Sequence, residues 1–155
     1  MSPRAEAEAR VAPTAEEVAF LMQSRGWVLF PGQLSRDACA ELAADSDRAY
    51  EACRKVQVQN GVAGPSMEGA AHHVVGYGGA RDRFLDDLPL HAEIERWFDG
   101  GKYILLTYGA AINPPAATTY TGKPHRDVRA FTGDYGLSLN MLVMLDDFTI
   151  ENGGA

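Results

Sequence analysis

Cysteine is scarce in this chain: Cys39 and Cys53 are the only two among 155 residues. Both fall in a stretch that reads as one helix, where their spacing corresponds to about 21 Å of helix axis, too far for a disulfide within it. They are expected to be small, reduced core residues rather than a staple or a metal pair. Basic residues are also few. The 14 Lys and Arg are outnumbered by 21 Asp and Glu, giving a formal net charge of -7. With no basic cluster to neutralise phosphates, nucleic acid is not an expected partner. The N-terminus mixes charges without the apolar centre of a signal peptide, and no apolar run approaches membrane-spanning length, so no membrane partner and a cytoplasmic location are expected. Histidine is limited to His72, His73, His91 and His125, too sparse for a dense histidine metal cluster.

What remains is ordinary globular material, 46% hydrophobic and 23% charged, long enough to bury a core without staples. Residues 1–13 are polar, Ala-rich and closed by Pro13, a lead-in; residues 14–155 are expected to form part of a single domain. Thr14 and Glu17 have the Thr-x-x-Glu form of a capping box, and Val18, Leu21 and Met22 recur at helical spacing, predicting a helix that stops at Gly26. Trp27 to Phe30, ended by Pro31-Gly32, predicts a short buried strand. Ser35 can cap a second, longer helix whose face includes Ala38, Cys39, Leu42, Ala49, Tyr50, Cys53 and Val56.

Gly61 to Gly79 is glycine-rich and predicts a flexible loop, a candidate lid over a site. It carries His72 and His73, which as strand neighbours would point to opposite faces and so do not form a metal pair. A helix is expected after Pro89, stopped by Gly100-Gly101. Lys102 to Tyr108 alternates like a core strand. Asn113-Pro114-Pro115 opens a loop that delivers the chain to His125. After a turn at Gly133 to Gly136, Leu137, Leu139, Met141, Val143 and Leu145 take one face of a further strand. Ser138, Asn140, Leu142, Met144 and Asp146 take the other. A buried Asn needs hydrogen-bond partners, so Asn140 either satisfies backbone or faces a polar pocket.

His125-Arg126-Asp127 is the chain's most distinctive chemical feature. On a strand, His125 and Asp127 project to one side, setting an imidazole beside a carboxylate. That pair is two thirds of the 2-His-1-carboxylate triad of non-haem iron oxygenases. The motif, followed by LNMLVMLDDFTIENGGA, resembles the phytanoyl-CoA dioxygenase family of Fe(II)- and 2-oxoglutarate-dependent oxygenases. There an HxD strand precedes a strand ending in a Leu-Asp-Asp-like turn and a Glu-Asn-Gly. The order of helix, GWVLFPG and long helix resembles the start of such chains, so the likeness runs from about Ala15 to the last residue.

The resemblance implies a fold that is mainly β with N-terminal helices, a double-stranded β-helix or jelly roll, here lacking its C-terminal part. It implies Fe(II) held by His125 and Asp127, with 2-oxoglutarate as cosubstrate and O2 as oxidant. The reaction would hydroxylate an unactivated C–H bond of a small-molecule substrate. Asp127 argues for hydroxylation, because related halogenases lose this carboxylate. Asn140, Ser138, Tyr108 and Lys123 are candidate 2-oxoglutarate contacts, with Asn113 and Tyr120 on the same rim. In the family, a second histidine and a carboxylate-binding Arg come from later strands, whereas no histidine follows His125 here. The 155 residues are therefore expected to be the N-terminal part of an enzyme and inactive alone. The alternative is a non-catalytic jelly-roll binding or structural domain in which His125 and Asp127 are merely a polar pair.

Overall fold

A computed structural model describes residues 12–112, 127–128, 130, 132–133 and 135–149. The chain divides into two compact units, residues 1–35 and 36–155.

The first unit holds α1 (Ala15–Arg25). Its start follows the sequence signal: the Thr14 side chain accepts from the Glu17 backbone N–H at 3.3 Å, and Glu17 Oε2 accepts from the Thr14 N–H at 2.8 Å. These bonds satisfy backbone donors that a helix start leaves open. Gly26 ends the helix in the left-handed region (φ 79°), which an L side chain enters at a steric cost. Trp27 to Phe30 is not the buried strand its composition predicts. Trp27 and Leu29 are exposed, and among the described residues no ladder forms here. The Trp27 ring instead carries the Arg25 guanidinium 3.8 Å from its centroid, and the Arg25 Nε donates to the Trp27 carbonyl at 2.9 Å.

The second unit is organised on α2 (Arg36–Gln59). Leu42, Asp45, Ser46 and Ala49 form its buried face at i, i+3, i+4 and i+7. Apolar spacing identifies Leu42 and Ala49, but Asp45 and Ser46 are polar and Val56 is exposed. Ser46 is accommodated because its hydroxyl donates to the Leu42 carbonyl at 2.7 Å, the helical back-bond open to a serine. Both cysteines are free thiols.

Ala49 packs with Ala71 and Val74 in the core, and Tyr50, Cys53, Tyr108 and Ala110 close around them. Two of these core residues come from the glycine-rich segment expected to be a flexible loop. That segment contains a 3-10 turn (Pro65–Met67) and β1 (Ala70–Ala71), and Val74 is completely buried. Alanines at 70 and 71 are small enough for the strand to lie close against α2 and its antiparallel partner β2 (Ala110–Ala111), with Ala70 opposite Ala111 and Ala71 opposite Ala110. Two further bonds extend the pairing: Val74 N–H to Tyr108 C=O at 2.9 Å and Ile112 N–H to Gly69 C=O at 2.7 Å. Gly109 permits the approach, since a Cβ there would lie 2.8 Å from the Ala71 carbonyl oxygen.

Two short helices follow, α3 (Ala80–Asp86) and α4 (His91–Trp97). The second begins after Pro89, as expected, and the Gly100 N–H caps back onto the Glu95 carbonyl at 3.0 Å.

The mainly β, jelly-roll architecture expected from the resemblance is overturned. Among the described residues there are four α-helices and one two-stranded antiparallel sheet. The physical reason lies in segments 102–107 and 137–145. Their alternation is real, for Ile104 and Leu106 are more exposed than Tyr103 and Leu105, and Leu142 and Met144 more than Leu139 and Met141. A strand, however, is completed by hydrogen bonds to a neighbour and not by its own side chains. Among the described residues neither segment is in a ladder, so period-2 patterning is present without a sheet.

Candidate functional site

The candidate site is built around Asp127, at a bend ahead of the segment that begins at Tyr135. The side-chain amide of Asn140 donates from Nδ2 to Asp127 Oδ2 at 2.5 Å. Both residues are exposed. The sequence leaves open whether Asn140 satisfies backbone or faces a polar pocket; in the structure it is exposed, with its amide on the Asp127 carboxylate. The alternation that puts Leu139 and Met141 on the more covered side puts Asn140 on the open side. The amide donor engages one oxygen of the Asp127 carboxylate.

Ser138, two residues before Asn140 on the same side of the segment, is brought to an adjoining hollow. It lines a cavity of about 270 Å³ with Trp97, Val128, Thr132, Tyr135 and Gly136. The indole Nε1 of Trp97 is buried there without a partner, close enough to Gly136 that a Cβ on that glycine would lie 3.4 Å from it. Trp97 was legible only as an apolar helix residue, and an indole N–H has no spacing signature.

Tyr108 is placed elsewhere. It is half-buried against the core, its ring stacked on Phe84 with centroids 6.4 Å apart and planes 8° apart. Its hydroxyl donates to the Arg81 carbonyl at 3.4 Å. Burial pushes its pKa above the usual phenol value, with Arg81 pulling the other way. Its described surroundings, the Phe84 ring, the Arg81 carbonyl and the core at Ala49 and Val74, are those of a packing residue. His125 and Lys123, and with them Asn113 and Tyr120, lie outside the described residues.

Asp127 supplies the oxygen donor that a 2-His-1-carboxylate site requires, and its bond from Asn140 is the outer support that ligating carboxylates usually have. In these respects it fits Fe(II). Among the described residues, no group of three or more His, Cys, Asp or Glu side chains is placed to hold a metal ion. His72 and His73 are exposed and tilted by 48° with ring centroids 6.3 Å apart. No helix among the described residues is long and apolar enough to cross a membrane. No family model, curated protein or solved structure matches the chain.

Proposed function

We propose that this chain carries part of the iron site of an Fe(II)- and 2-oxoglutarate-dependent dioxygenase related to the phytanoyl-CoA dioxygenase family, acting on a small molecule in the cytoplasm. The observation that carries the reading is the bond from Asn140 to Asp127. It joins the carboxylate of the HxD motif to the residue of the following segment that the resemblance marks as a cosubstrate contact. The order His125-Arg126-Asp127, LNMLVMLDD, ENGG supports it independently of geometry.

In this reading Asp127 and His125 hold the iron, which supplies the oxidising chemistry when bound with 2-oxoglutarate and O2. Asn140 keeps one oxygen of Asp127 engaged, and so helps to orient the carboxylate that would ligate the metal. Ser138 and Lys123 are the remaining candidate contacts for the carboxylates of 2-oxoglutarate. A third protein ligand comes from outside the described residues.

Anaerobic equilibrium dialysis with Fe(II) tests the proposal. The chain is expected to bind one equivalent. Asn140→Ala should weaken binding by about 10- to 100-fold, the range for removing a partner of a metal ligand, and Asp127→Ala should weaken it further. Unchanged affinity in Asp127→Ala removes the carboxylate from the ligand set. It would leave Asp127 and Asn140 as a polar brace in a non-catalytic binding domain.

A further inference from the structure

A second polar constellation lies in the hollow between α2 and the turn into α3. Arg81 is only 4% exposed, yet its Nε and Nη1 atoms are buried with no hydrogen-bond partner. A buried guanidinium with idle donors is costly, because each N–H has given up water without a replacement. Its natural counter-ion would be Asp45, also buried at 3% exposure. Asp45 is already engaged: its carboxylate accepts from the Ala80 backbone N–H and pairs with Arg48. Gly79 presses against the same carboxylate, for a Cβ there would lie 2.3 Å from Asp45 Oδ2. Asp45 is thus held toward α3 and Arg48.

The Arg81 side chain lines a cavity of about 260 Å³ whose other walls are Asp45, Arg48, Ala49, Tyr77 and the Gly78-Gly79 backbone. Liquid water occupies about 30 Å³ per molecule, so the space suits a small organic molecule. Among the lining side chains two arginines face one carboxylate, a surplus of one positive charge. Ala49 and the Tyr77 ring, with the Arg81 guanidinium 5.9 Å from its centroid, add an apolar wall. We propose that this hollow is a binding site for a short-chain monocarboxylate, with Arg81 as its anchor and Arg48 at its mouth. A planar carboxylate matches the planar donors of arginine, and one negative charge balances the surplus. The site is independent of iron and of the Asp127 reading.

Isothermal titration of the full chain with acetate, propionate and inorganic phosphate, without metal, tests it. Saturable millimolar binding of acetate is expected, tighter for propionate and weaker for phosphate. Arg81→Lys should weaken acetate binding by about tenfold or more, since an ammonium cannot reproduce the fork. If Arg81→Lys does not fold, Arg48→Gln carries the test, because the Arg48 side chain is 68% exposed and lies outside the core. It should weaken acetate by about fivefold through loss of the second charge. Absence of saturable carboxylate binding, or binding that neither substitution alters, overturns the site. Phosphate binding tighter than acetate overturns the monocarboxylate assignment.

Discussion

Asp127 and Tyr108 show how the same kind of sequence argument leads to different places at the scale of single residues. Asp127 is a candidate as the carboxylate of the HxD motif, and Tyr108 as a cosubstrate contact that the resemblance implies. Asp127 is exposed and accepts from Asn140, whereas Tyr108 is wedged against Phe84 with its hydroxyl on the Arg81 carbonyl. A structural role for Tyr108 has a pH signature. Its phenol pKa is raised from 10.0 by burial, so the folded chain holds the proton more tightly than the unfolded chain. The stability from this group is fully present below the unfolded value and is lost as pH rises through the folded one. Tyr108→Phe should therefore lower stability by about 0.5–1 kcal/mol near neutrality, a modest value for a long hydrogen bond. In thermal melts, the gap between the variant and the parent chain should close above about pH 10. A gap that is constant with pH would mean that the hydroxyl is not buried in the folded state.

Among the elements, local signals are legible in the sequence and long-range ones are not. The capping box at Thr14 and Glu17, the stop at Gly26 and the start of α4 after Pro89 are written within a few residues of where they act, so they were legible. The strand assignments for Trp27 to Phe30, Lys102 to Tyr108 and Leu137 to Asp146 depended on partners that periodicity does not supply. Alternation told which side of residues 137–145 is more covered, and so placed Asn140, but could not say whether a ladder would form. The glycine-rich segment misled in the opposite direction. Its glycines read as freedom, whereas Ala70, Ala71 and Val74 among them supply core. The buried Asp45 and Arg81 were invisible because charged residues carry no inward signal in a hydrophobic pattern. A substitution at the tightest approach tests the observed sheet. Gly109→Ala, with its Cβ 2.8 Å from the Ala71 carbonyl, should destabilise the second unit by about 1–3 kcal/mol. Denaturant unfolding followed at Trp97 reads it, and an unchanged midpoint would contradict the close pairing of β1 and β2.

For the molecule as a whole, the notable imbalance is between a small core and a large apolar surface. Among the described residues the largest completely buried side chain is Val74, while Ile104, Leu106 and Leu142 are 75–83% exposed. Exposed large apolar side chains of this kind promote association. Leu142→Lys should reduce concentration-dependent self-association in light scattering while changing stability by no more than about 0.5 kcal/mol, as expected for an exposed position. Unchanged association would exclude that segment as its source. The central claim, that Asp127 holds a metal with Asn140 supporting it, is tested most directly by adding Mn(II) as a paramagnetic stand-in for Fe(II) and mapping line broadening in the amide spectrum. The side-chain amide of Asn140 and the backbone of Asp127 and Val128 should broaden first, and Asp127→Ala should abolish the effect. Broadening centred elsewhere, such as on His72 and His73, or no broadening near Asn140 would contradict the account.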